Sequence, residues 1–173
     1  MRLFLIRHAH ALDHEIDAER PISERGQAVT QLVSDHFKKT GQLTPKQVWH
    51  SPLQRAFETA ADLVSQIGLN SPLVETAGLE PADDPQIVAE RMRIYPATHD
   101  IAIVGHQPQL SALASLLVTD ASRFNLFHFK KNSVMALRRG DDTHAKSGLP
   151  RWRVAWHFSP ELLPGFGNLV RKS

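Results

Sequence analysis

Leu3-Phe4-Leu5-Ile6-Arg7-His8-Ala9-His10 is the stretch on which the fold turns. Four apolar residues in a row, cut off at once by an arginine and a histidine, read as a short strand buried on both faces. Two later stretches repeat the pattern. Residues 47–50 form a short strand that runs into Ser51-Pro52-Leu53-Gln54-Arg55, and residues 101–104 a strand that runs into Gly105-His106-Gln107-Pro108.

Between these strands the apolar spacing becomes helical. Residues 23–39 place Val29, Leu32, Val33 and Phe37 on one helical face, with Ser23 as N-cap and Gly41 as stop. After the second strand, Ser51 is expected to cap a helix with Pro52 in its first turn. Its stripe would be Ala56, Phe57, Ala60, Val64 and Ile67, and Gly68 would end it. Residues 85–95 predict a helix halted before Pro96. Residues 109–118 predict another, with Leu110, Leu113, Ala114 and Leu117 inward. Residues 73–75, 133–137 and 153–158 read as further strands, with residues 141–148 as the loop between the last two. The tail after Pro160 is expected to wrap the surface. Strands alternating with helices predict a three-layer α/β/α sandwich with a mostly parallel central sheet, as one domain over residues 1–173.

Composition agrees with that frame. The chain has 173 residues, no cysteine, 42% hydrophobic and 22% charged residues, ordinary for a globular domain able to bury a sizeable core. Without cysteine, a disulfide scaffold, a thiolate zinc site and a cysteine nucleophile are excluded. No apolar run reaches a membrane span, and residues 3–6 are too short for a signal-peptide core. The expected location is the cytoplasm. Residues 1–86 carry 8 Lys and Arg against 12 Asp and Glu, and residues 87–173 carry 12 against 6. The excess lies mostly in Lys130, Lys131, Arg138, Arg139, Lys146, Arg151, Arg153, Arg171 and Lys172. A solvated surface and a face for an acidic partner both suit it; no nucleic-acid-binding motif accompanies it.

In open parallel sheets, ligands bind beyond the carboxyl ends of the strands. If the three strands are parallel neighbours, Arg7, His8, Arg55 and His106 converge in one crevice. Guanidinium forks suit phosphate oxygens, and a neutral imidazole nitrogen can attack phosphorus and carry the group. Nearby Arg charges would keep such an imidazole neutral and would stabilise the transferring phosphoryl oxygens. Arg55, near a helix start, would place the anion at the positive end of the helix dipole.

Arg7-His8, Ser51-Pro52-x-x-Arg55-Ala56-x-x-Thr59 and Val104-Gly105-His106-x-Pro108 together resemble the histidine phosphatase superfamily, also called phosphoglycerate mutase-like. Arg20-Pro21-Ile22-Ser23-Glu24-Arg25-Gly26 and the Phe-Lys-Lys-x-Ser-Val stretch at residues 129–134 resemble its SixA-type phosphohistidine phosphatase branch. The resemblance implies a phosphoglycerate mutase-like fold. It implies His8 as the nucleophile that becomes phosphohistidine, with Arg7 and Arg55 holding phosphate and His106 as the second imidazole at the phosphate. It implies no metal and no organic cofactor. The superfamily signature has Gly where Ala9 stands, which matters only if that backbone needs positive φ. The leaving-group acid stays open among Glu80, Asp83, Asp84 or none, and so do the roles of His10 and Arg20.

The expected activity is hydrolysis through a phospho-His8 intermediate, most simply on a phosphohistidine-bearing protein. Only about ten residues separate the third strand from the next helix, so no large lid covers the crevice. A phosphomonoesterase acting on small esters and a non-catalytic phosphate-binding module are the alternatives. A metal site is weighed and set aside: His8 and His10 would alternate on one strand face with His14 near, but the second ligand of a His-Glu-x-x-His pattern is missing. The expected partner is a phosphorylated substrate protein, not nucleic acid or membrane, with a monomer as the working form.

Overall fold

The computed structural model describes residues 1–170, so the expected basic residues Arg171 and Lys172 lie outside the described residues. The chain runs β1 (Arg2–Arg7), α1 (Glu24–Thr40), β2 (Gln47–His50), α2 (Gln54–Ile67), β3 (Leu73–Glu75), α3 (Pro85–Ile94), β4 (Ile101–Gly105), α4 (Gln109–Thr119), β5 (Val134–Thr143), β6 (Pro150–Phe158) and α5 (Phe166–Val170). The sheet order is β3-β2-β4-β1-β5-β6. β3, β2, β4 and β1 pair in parallel, while β5 joins β1 antiparallel and β6 joins β5 antiparallel.

Side chains alternate across the sheet, and both faces are covered. Leu3, Leu5, Ile101, Ile103, Met135 and Leu137 point to a core with Val88 and Met92 of α3 and Leu110, Leu113 and Leu117 of α4. Phe4, Ile6, Ala102, Val104, Val134 and Ala136 point to the opposite core, with Val29, Val33 and Phe37 of α1 and Ala56, Ala60 and Leu63 of α2. Burial on both faces is why β1 and β4 read as unbroken apolar runs. Each fully buried aliphatic side chain contributes about 1.5–3 kcal/mol. The result is the expected three-layer α/β fold. Among the described residues no helix is long and apolar enough to cross a membrane.

The ends of α1 follow the sequence signals. Ser23 accepts a hydrogen bond from the Gly26 amide at 3.0 Å, and Gly41 closes the helix in the left-handed region at φ 65°. α2 differs from expectation. It starts at Gln54, with Leu53 at the cap position; Ser51 Oγ instead accepts from the Leu53 amide, closing the turn before the helix. Phe57 leaves the predicted apolar stripe and is 46% exposed, its ring against His50 at 5.3 Å. β5 runs on to Thr143 through residues assigned to a loop, because β6 pairs with it that far. The tail after Pro160 does more than cover surface: Leu163, Phe166 and Leu169 pack on the core beside α1.

The basic excess does not gather on one face. Arg139 donates to the Met92, Arg93 and Tyr95 carbonyls, satisfying the C-terminal end of α3. Arg151 and Arg153 pair with Asp142.

Candidate active site

β4 lies between β1 and β2, all three parallel, so their carboxyl ends open onto one crevice. The structure brings Arg7, His8, Arg55 and His106 to it. Arg7 is the last residue of β1. Its amide donates to Ser133 O and its carbonyl accepts from the Asn132 amide. The His8 amide donates to Gly105 O at 3.0 Å, tying the end of β1 to the end of β4. The His106 carbonyl accepts from the Leu110 amide as α4 begins. Arg55 is the second residue of α2.

The ring of His8 is fixed by one bond. Its Nδ1 lies 2.7 Å from the Ala9 carbonyl oxygen. A carbonyl only accepts, so Nδ1 carries the proton and the neutral ring leaves Nε2 bare. The His8 and His106 ring centroids are 4.7 Å apart. Both nitrogens of His106 and Nε of Arg7 are buried with no hydrogen-bond partner among the described residues, a costly state in a finished core. Arg7 Nη1 donates to the Phe129 carbonyl at 2.7 Å.

Both imidazoles are held neutral. Burial, then the charges of Lys131, His106 and Arg55, lower His8 from its ordinary value to about 2. Burial, then Arg55 and Lys131, lower His106 to about 3 against the opposing charge of Asp17. Neutral imidazoles are as expected, but the cause differs. Burial comes first, and Lys131 acts on His8 more strongly than Arg55 does.

Two residues that sequence reasoning missed stand at this crevice. Asp17, on a short 3-10 turn over residues 17–19, accepts from Arg55 Nη2 at 3.1 Å through Oδ2, and its carbonyl accepts from Nη1 at 2.8 Å. Nothing in an exposed Asp-Ala-Glu run marks this role. Lys131 follows Lys130 in a turn closed by the Ser133 amide donating to the Lys130 carbonyl. Asn132 holds that turn in the left-handed region at φ 59°, with its Nδ2 donating to Thr30 Oγ1 at 2.8 Å. The signal is the Phe-Lys-Lys-x-Ser-Val stretch at residues 129–134, which as a resemblance carries no place in the site.

Several details of the expectation change. His8 and His10 do not alternate on a strand, because β1 ends at Arg7. His10 instead meets Ser23 Oγ at 2.9 Å, and Arg20 pairs with Asp13 and Asp17. Ala9 is buried, does not have positive φ, and donates to Thr59 Oγ1 at 3.0 Å, so its methyl is accommodated. Thr59 in turn donates to the Arg55 carbonyl at 2.6 Å, linking the His8 loop to α2. Of the three candidate acids, Asp84 caps α3 and Asp83 accepts from the Glu80 amide. Glu80 alone keeps its carboxylate clear of such bonds. It follows Leu79, whose carbonyl oxygen lies where a Cβ at Gly105 would meet it at 3.5 Å. Among the described residues no three His, Asp or Glu side chains are grouped to hold a metal ion.

The family model of the histidine phosphatase superfamily (branch 1) matches residues 3–82, which hold β1, α1, β2, α2 and β3 with Arg7, His8 and Arg55 in place. Over that span, a little under half of the chain, the sequence is similar to the histidine phosphatase superfamily. The tungstate complex of the protein histidine phosphatase SixA is similar in fold, with TM-score 0.79 and 21% identity over 92% of this chain and 97% of that one. A mycobacterial glucosyl-3-phosphoglycerate phosphatase shares the fold at TM-score 0.62 and 20% identity, over 91% of this chain and 99% of that one. A protein of uncharacterized function from Picosynechococcus sp. is 29% identical over 146 residues, covering 81% of this chain and 86% of its own.

Proposed function

We propose that this protein is a phosphatase, which removes the phosphoryl group from a phosphohistidine on a protein through a covalent intermediate on His8. The observation that carries the reading is the His8 Nδ1 bond to the Ala9 carbonyl, which leaves Nε2 bare beside His106 in a crevice of cations. Nε2 attacks phosphorus as the bond from phosphorus to the substrate nitrogen breaks, and that nitrogen leaves protonated. Water then attacks the phosphorus on His8, breaks its bond to Nε2 and releases inorganic phosphate. Arg7, Arg55 and His106 hold the phosphoryl oxygens, giving the His106 nitrogens and Arg7 Nε the partners they lack among the described residues.

The substrate class rests on two further features. Only residues 76–84 join β3 to α3, so the crevice has no lid domain to enclose a small sugar phosphate. Asp83 and Asp84 are engaged in the loop, leaving Glu80 as the single loop carboxylate for leaving-group protonation. A phosphoramidate, whose nitrogen is easily protonated, asks less of such an acid than an ester does. The expected setting is the cytoplasm, with a monomer acting on a partner protein.

The test is phosphate release from a phosphohistidine-bearing protein by wild type and His8→Ala, with a small phosphate monoester in parallel. Faster release from the phosphoprotein, lost in His8→Ala, is expected. Preference for the monoester moves the protein to small-molecule hydrolysis, a reading in keeping with its likeness to the glucosyl-3-phosphoglycerate phosphatase. No release from either, with phosphate still bound, makes the crevice a binding module.

A further inference from the structure

Arg7 faces two spaces at once. One is the crevice with His8; the other is a cavity of about 320 Å³ whose walls include His10, Arg25, Lys130, Lys131 and Glu161. These residues come from five separate places: the end of β1, the loop after it, the first turn of α1, the turn before β5, and the tail after β6. The wall carries four cations and one carboxylate. That carboxylate is already engaged, since Lys130 Nζ lies 2.6 Å from both oxygens of Glu161. Lys131 is different: among the described residues its ammonium has no hydrogen bond or ion pair, and its turn is fixed by the Asn132 bond to Thr30.

The excess positive charge is felt by the groups lining the cavity. His10 lies below its ordinary value through burial and the charges of Arg25, Lys131 and Arg20, with Asp13 opposing. Lys131 is lowered to about 8 by burial and by Arg7, Arg20 and Arg55. Arg25 also stands in the first turn of α1, where the helix dipole adds positive potential. A phosphoryl group in the crevice would neutralise part of the charge on Arg7 and Lys131, which border both spaces, while Arg25 lines the cavity.

We infer that this cavity is an anion subsite, which receives a carboxylate carried by the substrate close to its phosphoryl group. The inference rests on the reading that Arg7 holds that phosphoryl group. It names the substrate more closely: the phosphorylated residue has an acidic side chain beside it in the folded partner protein. Arg25 and Lys131 bind the carboxylate and Arg7 is shared, so the two anions are read together. A neutral neighbour would leave the Lys131 ammonium facing an apolar group, at a cost in desolvation.

The chemistry is tested first without turnover, by calorimetric binding of methylphosphonate and 3-phosphonopropionate to the full chain. The carboxylate is expected to tighten binding about tenfold at low salt, the order of one charge-assisted pair. The ratio of the two affinities is then measured in Arg25→Gln and Lys131→Gln. It should fall to within about twofold of one in both, a readout that a general loss of phosphonate binding does not move. Equal affinities in the wild type, or a ratio unchanged in both variants, overturn the subsite. A second arm compares phosphohistidine peptides with Asp or Ala beside the phosphorylated residue, where the acidic peptide should show the lower KM. If the phosphonate ratio holds and neither peptide is hydrolysed, the subsite stands and the phosphohistidine reading falls. If both peptides are hydrolysed with equal KM, the carboxylate belongs to a small substrate and the protein-borne acid is overturned.

Discussion

The rings of His8 and His106 lie 4.7 Å apart, tilted at 50°, each buried and each held neutral by burial and by the cations around them. They come from strands that end side by side, and the His8 amide donates to Gly105, the residue before His106. Two imidazolium ions could not share that space. The pair therefore couples the protonation of the site to the folding of the chain.

The coupling has a sign. In the folded protein His8 titrates at about 2 and His106 at about 3, whereas both would titrate near 6.5 when unfolded. Below that value the unfolded chain binds protons that the folded one does not. Stability is therefore full above about pH 6.5 and falls as pH drops from there toward about 3, by up to about 1.4 kcal/mol per pH unit for each histidine. Urea unfolding of wild type and His106→Gln at about pH 7.5 and about pH 5 checks this. The variant should lose less stability over that interval than the wild type. Equal losses would remove His106 from the coupling.

Arg55 donates through both Nη atoms to Asp17, which shows its fork already oriented. A lysine would keep the charge and lose the plane. Arg55→Lys is expected to weaken inorganic phosphate binding and lower kcat/KM by about 10–100-fold, the scale of a lost bidentate charge-assisted contact. Calorimetry and steady-state kinetics measure both; a value near wild type would take Arg55 out of the phosphate site.

Asp17 has the opposite character. Its side chain is 65% exposed, and it competes with any anion for Arg55. Its backbone carbonyl would still hold Arg55 Nη1 if the carboxylate were removed. Asp17→Asn should therefore bind inorganic phosphate more tightly by several-fold, about 1 kcal/mol at most for so exposed a charge. Weaker phosphate binding would show that the carboxylate positions the guanidinium instead.

Gly26 is a point of close approach between α1 and the loop after β1. A Cβ there would run into the His10 carbonyl, a backbone atom that cannot swing away. The same carbonyl accepts from the Ser23 amide, so displacing it also disturbs the cap of α1. Gly26→Ala should cost about 2–4 kcal/mol in urea unfolding. A loss under about 0.5 kcal/mol, the range of ordinary surface changes, would mean that the loop moves freely.

The sequence by itself determined the strands that end on Arg7, His8 and His106, the capped helix from Ser23 to Gly41, and the layered α/β frame. Those features are local: apolar spacing, caps and strand ends follow from the dihedral preferences and burial of a few neighbouring residues. Only the tertiary structure decided that β5 inserts antiparallel beside β1, which carries Lys131 to His8 across more than a hundred residues of chain. It also decided that Asp17 meets Arg55, that Phe57 stays in solvent, and that Arg139 closes α3 while Arg151 and Arg153 settle on Asp142. Those outcomes depend on which surfaces and charges meet once the chain is packed, and a local pattern carries no record of a distant partner. Burial, the largest cause of the neutral histidines, belongs to that second kind. It exists only when both helical layers have closed on the sheet.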